Sequence, residues 1–308
     1  MNILKIFKKI IKAFVPYGII YLRMQYKNKN SSCEKYYLSS WKEAEIRNYF
    51  LSLNTSDSEL LQIKTYFENY DWFPLWYPYA FTRNYNISDI RIFIDEAIKM
   101  RYVLHENKRL YFPENFTSDN IRYVYNYLCM EQDNDSPHRY ESDGFVVQNG
   151  DVIADVGAAE GIWALSNVEK ASKIYLFECS GYWRKVLEKT FEPWKEKVII
   201  VDKYVSDIDD SKNVKLDTFF KGKHIDYIKA DIEGMERKML EGCREMLSNI
   251  NVKLVLCTYH SKNDADEIKK ILEKNGFKTE YSKGFMLIDF NESLEKPYVR
   301  RGLIKGVK

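Results

Sequence analysis

The chain has 308 residues, of which 45% are hydrophobic and 30% charged, so it can bury a large core without disulfides or a structural metal. Collagen-like, low-complexity and wholly disordered classes are excluded. The 47 Lys and Arg nearly balance the 45 Asp and Glu, giving a net charge of +2. That provides no global field to hold a polyanion, so no nucleic-acid partner is expected. The length fits two domains, or one large domain with an extension. Cys33, Cys129, Cys179, Cys243 and Cys257 are odd in number and form no CxxC pair. They spell neither a disulfide framework nor a zinc ribbon, and a cytoplasmic, reducing location is expected.

Residues 1–33 form a basic amphipathic segment with Lys5, Lys8, Lys9, Lys12, Arg23, Lys27 and Lys29 and no acid. Ile3, Ile6, Phe7, Ile10, Ile11 and Phe14 follow the spacing of one helical face. Two readings stand: peripheral membrane contact through residues 3–14, or a helix packed on its own domain. The apolar run Ala13–Leu22 is broken by Pro16 and falls short of the roughly 20 residues that span a bilayer. It also lacks the small-residue cleavage site of a secretory signal.

Residues 34–140 read as a mainly helical accessory region. The spacing predicts helices over Ser40–Leu53, Ser88–Met100 and Ser118–Met130, with a hairpin around Glu106 and Asn107. Pro74 and Pro78 make the aromatic run Asp71–Tyr79 a loop, whose rings either pack in the core or stack on sugars.

After the polar connection Glu131–Asp143 the pattern changes. Seven β-rich runs follow: Val152–Ala154, Lys173–Phe177, Val198–Val201, Asp226–Lys229, Lys253–Cys257, Phe277–Tyr281 and Phe285–Phe290. Helical stretches separate the first six, which predicts an α/β, doubly wound parallel sheet over 141–290. Only Ser282, Lys283 and Gly284 separate the last two runs, so the final strand is expected to be antiparallel. Residues 291–308 read as a charged tail with no legible role.

The most informative stretch is Asp155-Val156-Gly157-Ala158-Ala159-Glu160-Gly161, where an apolar strand ends in an acid and a glycine loop opens a helix. Gly157 permits a tight turn, and Gly161 permits close packing at the helix start. The next strand ends in Glu178, 21 residues after Gly157, where this architecture holds a ribose diol. Ala159 stands where a dinucleotide fingerprint needs its second glycine. Asp155 and Glu160 are poor company for a pyrophosphate, so the loop suits a cationic ligand with a ribose, such as S-adenosylmethionine.

Residues 141–290 resemble the FkbM family of class I S-adenosylmethionine-dependent methyltransferases. The motifs that carry the resemblance are Asp155–Gly161, Leu176-Phe177-Glu178, Lys215–Phe220 and Ile225–Glu236, the last containing K-x-D-x-E-G-x-E. The resemblance implies a class I methyltransferase fold: seven strands with the last antiparallel, behind a mainly helical N-terminal extension. It places Asp155, Gly157 and Gly161 around the cofactor's methionine, Glu178 on its ribose, and Ser206 and Asp207 near its adenine; Ala158 and Glu160 complete the cofactor-binding set, with Glu160 standing where the family often has a small or neutral residue. Cys179 stands where family members often carry proline.

Methyl transfer to oxygen is an in-line displacement that relies on positioning and on a base for the hydroxyl proton. Asp231 and Glu233 follow the fourth strand and His260 the fifth, so these three are the candidate catalytic residues. His260 is the base whose ordinary pKa suits neutral pH. Glu233 is also a candidate helix cap. The same three residues offer oxygen and nitrogen ligands to a divalent metal, but their spacing alone establishes no site and no metal is predicted. His138 is either part of a lid over the cofactor or a surface-loop residue, and His105 and His224 read as structural.

The expected function is O-methyl transfer to a hydroxyl of a sugar or glycan precursor in cell-surface polysaccharide or natural-product biosynthesis. Two rivals are a non-catalytic scaffold of the same fold at a membrane surface and a nicotinamide-dependent oxidoreductase. The intact loop and Glu178 argue against the first, and the lack of GxGxxG against the second.

Overall fold

The computed structural model describes residues 40–70, 76–249, 251–288 and 295–308. The basic segment 1–33 with its helical face 3–14, Cys33 and the aromatic residues 71–75 lie outside the described residues. No described helix is long and apolar enough to cross a membrane.

Helices α1 (Ser40–Ser52) and α2 (Ser58–Asn69) open the described chain. Asp57 caps α2 by accepting hydrogen bonds from the amides of Glu59 and Leu60. Trp76, Tyr77 and Tyr79 are buried, so this part of the aromatic run packs into the core. The helix expected over Ser88–Met100 does not form. Asn86 caps a single 3-10 turn, Ile87–Asp89. The chain then runs into β1 (Phe93–Asp95), which pairs antiparallel with β2 (Met100–His105). Cross-strand partners override the helical spacing here: Asp95 accepts hydrogen bonds from Arg109 and from the Tyr111 hydroxyl. The hairpin to β3 (Lys108–Tyr111) turns at Glu106 and Asn107, both at positive φ. Helix α3 (Ser118–Glu131) starts at a capping box between Thr117 and Asn120.

The strand–helix alternation follows. It contains β4 (Val152–Val156), α4 (Ile162–Asn167), β5 (Lys173–Phe177), α5 (Gly181–Thr190), β6 (Val198–Val201), β7 (Tyr204–Val205), β8 (Asn213–Val214) and α6 (Leu216–Phe219). It continues with β9 (Tyr227–Ala230), α7 (Glu236–Glu241), α8 (Arg244–Asn249), β10 (Lys253–Cys257), α9 (Asp264–Lys274), β11 (Lys278–Tyr281), β12 (Met286–Leu287), β13 (Val299–Arg300) and β14 (Leu303–Val307). Among the described residues the central sheet has seven strands, in the order β11-β14-β10-β9-β4-β5-β6. Strands β6, β5, β4, β9 and β10 run parallel, and β14 runs antiparallel to both β10 and β11. This is the class I methyltransferase fold, an α/β sheet behind an N-terminal extension.

The antiparallel strand is not the one expected. Residues 286–287 pair with β13 in a separate two-stranded ribbon, and the antiparallel strand comes from Leu303–Val307, inside the supposed charged tail. Its charges misled: Lys305 is buried and lies over the Phe145 ring.

Alternation along the strands divides the core in two. Ile153, Ile174, Leu176, Tyr227, Val255 and Leu303 join Phe50, Phe67, Tyr77 and Leu128 of the N-terminal region in one continuous cluster. Ala154, Phe177, Ile228, Leu254 and Ile304 face Met239, Leu247 and Ile268 on the other side. The N-terminal region therefore shares the core of the sheet. Polar ties add to this: Tyr298 donates to Glu45 at 2.6 Å, and Arg301 pairs with Glu59 at 2.5 Å.

Candidate active site

Strand order reverses between β4 and β9, and the loops after these strands part at the carboxyl edge of the sheet, where open α/β sheets bind ligands. One wall is the turn after β4. Gly157 and Gly161 sit at φ 79° and 80°, and Ala159 also lies in the left-handed region at 47°. A Cβ on Gly157 would stand 2.0 Å from the Asp231 carbonyl oxygen, so glycine is required where the two loops cross. A Cβ on Gly161 would stand 2.7 Å from Leu187 and 2.8 Å from Phe191, which shows the expected close packing at the start of α4.

Glu178 is buried at the end of β5. It accepts a hydrogen bond from the Ala159 amide at 2.9 Å on one oxygen and from the Ser180 amide at 2.7 Å on the other. Each oxygen keeps a second lone pair, so the carboxylate is held in place with capacity left for a diol. Tyr204, 54% exposed, reaches the Cys179 thiol beside it.

Asp155 departs from expectation. It is buried, and one oxygen takes a hydrogen bond from Lys229 Nζ at 2.8 Å. The two residues are register partners on β4 and β9. Lys229 also donates to the Gly157 carbonyl at 2.9 Å, so the pair braces the turn from beneath. Burial favours the neutral amine, but Asp155 and Asp231 outweigh it and keep Lys229 protonated. Ala158 is buried within the turn, its amide bonded to the Phe177 carbonyl. Glu160 is buried with one oxygen lacking a hydrogen-bond partner among the described residues, and burial pushes its pKa up to about 8.

The facing wall is built of side chains. Asp231 accepts from the Tyr140 hydroxyl at 3.0 Å and from the Tyr259 hydroxyl at 3.3 Å. Burial opposes its charge, but His260, His138 and Lys229 together with the Tyr140 bond hold it below the usual carboxylate range. His260 Nε2 lies 3.5 Å from Asp231 and 3.7 Å from Glu233, and its Nδ1 lies 3.3 Å from Glu236. Burial would lower the His260 pKa, but Glu236, Asp231 and Glu233 raise it to about 9. The imidazole is thus not poised at neutrality as its ordinary pKa suggested. Glu233, at φ 59°, is the most accessible acid of the group, its side chain 36% exposed. It lies outside α7, whose first turn holds Glu236 instead. Glu236 is buried and accepts from the Ile232 amide at 2.9 Å.

His138 is not a surface-loop residue. It is 1% exposed, packed between Tyr140 and Tyr259 and 3.7 Å from Asp231, and burial lowers its pKa to about 4. Ser206 and Asp207 follow β7 and tie to other partners. The Ser206 carbonyl lies against Gly242, and Asp207 pairs with Lys238 at 3.1 Å. The structure therefore brings Asp231, Glu233 and His260 together. It adds Lys229, Glu236, Tyr140 and Tyr259, which sequence reasoning did not assign. Glu236 closes the K-x-D-x-E-G-x-E motif, and Tyr259 adjoins His260; both signals were present.

Residues 164–279 match the family model of the methyltransferase FkbM domain. Over that stretch the chain is similar to an FkbM methyltransferase domain. No curated protein matches the chain. Among solved structures it is similar to the methyltransferase FkbM of Methylobacillus flagellatus KT, with 16% identity, a TM-score of 0.43, and coverage of 63% of this chain and 56% of that one. It is also similar to the precorrin-6y C5,15-methyltransferase of Geobacter metallireducens GS-15, with 12% identity, a TM-score of 0.38, and coverage of 52% and 82%. A Streptococcus mutans protein in complex with SAH shows 15% identity and a TM-score of 0.34, covering 53% of this chain and 92% of that one. The chain thus spans little more than half the length of the Methylobacillus protein. The FkbM match covers the sheet from α4 through β11 and includes Glu178, Asp231, Glu233, Glu236 and His260, while the glycine turn lies just before it.

Proposed function

We propose that the protein is an S-adenosylmethionine-dependent O-methyltransferase acting on a sugar or glycan-precursor hydroxyl. The observation that carries this reading is Glu178. Its buried carboxylate is fixed by two backbone amides, one of them from the glycine turn, and keeps acceptor capacity for two ribose hydroxyls. The remaining chemistry of the pocket fits the same cofactor. The unpartnered oxygen of Glu160 suits the ammonium of the methionine end, and Gly157 and Ala158 give the turn its shape. Asp155 and Gly161 support the loop from behind rather than reaching a ligand. Ser206 and Asp207 remain the adenine-side candidates, with Tyr204 as a ring to stack on.

The bound cofactor supplies a methyl group on a sulfonium. The protein's residues must hold a hydroxyl in line with it, exclude water and take one proton. Asp231 is fixed by Tyr140 and Tyr259 and positions the hydroxyl. Glu233, the accessible acid beside it, receives the proton as the C–O bond forms. His260 orients both carboxylates. A cytoplasmic enzyme held at a membrane through residues 3–14 would meet a lipid-linked acceptor, which gives the basic face a purpose.

Calorimetric titration with S-adenosylhomocysteine tests the cofactor, with NADH as control. Micromolar binding that is lost in Glu178→Ala supports the reading. Absence of binding by folded protein, or equal binding of NADH, rejects it. Transfer of a labelled methyl group to glycan acceptors, recovered as an acid-stable ether, then tests the acceptor class.

A further inference from the structure

The group at the ends of β9 and β10 has more unused donor atoms than positioning a hydroxyl needs. One ligand atom from each of Asp231, Glu236 and His260 lies within 4.8 Å of the other two. Among the described residues neither ring nitrogen of His260 has a hydrogen-bond partner, although its side chain is only 8% exposed. The Glu236 Oε2 is likewise buried and without a partner among the described residues, while its other oxygen is fixed by the Ile232 amide. Buried polar atoms are seldom left this way. Such atoms on two neighbouring buried side chains mark a place built for a ligand that one ring nitrogen and one carboxylate oxygen can share.

We propose that Asp231, Glu236 and His260 form a divalent-cation site at the acceptor side of the pocket. One imidazole and two carboxylates are the donor set of a first-row transition cation such as manganese or zinc, whereas calcium favours oxygen alone. Donors about 2.1 Å from a shared ion stand roughly 3–4 Å apart; His260 Nε2 stands 3.5 Å from Asp231 and its Nδ1 3.3 Å from Glu236, and one of the two nitrogens takes the ion as the carboxylates close on it. The outer contacts also fit. Tyr140 and Tyr259 hold the Asp231 carboxylate, and Arg300 donates to the carbonyls of Tyr259 at 2.6 Å and His260 at 3.0 Å, fixing the imidazole's backbone. Two negative charges meet the ion's two positive ones, and Glu233 stands at the rim, 3.7 Å from His260. The open positions of the ion face the acceptor and take its hydroxyl. That last role rests on the methyltransferase reading; cation binding itself does not.

The test is manganese(II) binding to the full chain, read by loss of the free-ion electron paramagnetic resonance signal, with and without S-adenosylhomocysteine. The parent is expected to bind one ion per chain. Glu236→Gln and His260→Gln should each weaken binding at least roughly tenfold. Glu236→Gln keeps the bond to the Ile232 amide, so it remains a fair test should the histidine variant misfold. Equal binding by parent and variants, or none by folded parent in either condition, overturns the site. The S-adenosylhomocysteine titration is scored separately, so failure of the cofactor reading is told apart from failure of the cation site.

Discussion

The two walls of the pocket are made differently. The wall after β4 is backbone: a turn at positive φ, amides bonded to the Phe177 carbonyl, and Glu178 satisfied by main-chain donors. The wall after β9 and β10 is a side-chain cluster with unpartnered atoms on His260 and Glu236. A backbone wall demands particular residue types at fixed spacing and suits an invariant ligand. A side-chain wall can change its occupant by changing one residue, which is where an acceptor is chosen.

The largest effect that would sharpen this contrast is expected at Gly157. The atom its Cβ would strike is main chain, so Gly157→Ala should destabilise by about 3 kcal/mol or more and abolish S-adenosylhomocysteine binding. Thermal melting that matches the parent would break the backbone account. Next comes Lys229→Met, which strands Asp155 in the interior. It should destabilise by about 3–5 kcal/mol, and adding Asp155→Leu should recover most of that, because the orphaned charge is what hurts. Denaturant unfolding of the single and double variants checks it.

Glu160 gives a pH signature of intermediate size. Its folded pKa, raised to about 8, lies above that of the unfolded chain. The folded state then binds the extra proton, and its stabilising share is present below about pH 4.5 and fades as pH rises through 8, at up to about 1.4 kcal/mol per pH unit. Glu160→Gln removes that slope. Its melting temperature should therefore gain on the parent from pH 5 to 8 and level off above. A constant difference would show that Glu160 is ionised throughout. The smallest effect belongs to Asp207→Ala, whose pair with Lys238 is solvent-exposed. Its melting temperature should scarcely move, and a fall in cofactor affinity without that movement would place Asp207 at the adenine.

The sequence was legible where chemistry restricts residue choice. Gly157, Gly161 and Glu178 stand out because few residues tolerate their backbone or their strand-end position. Asp231, Glu233 and His260 stand out because they closely follow strand ends. Lys229 was opaque because its partner, Asp155, is set by cross-strand register, which no local pattern encodes. Ser88–Met100 misled because Phe93–Asp95 pairs with β2 along the backbone, and the Asp95 side chain is held by Arg109 and Tyr111, distant in sequence. Residues 303–307 misled because a lysine reads as solvated until a ring is found beneath it.

That last strand has a consequence for biosynthesis. In chain order β10 and β11 are made before β14, yet β14 lies between them and bonds to both. While the polypeptide is being extended, each of those strands carries an open edge that only a later segment can close. Open edges are templates for pairing with other chains. Until residues 303–307 emerge, both edges stay open to such pairing, and β14 closes them together when it inserts.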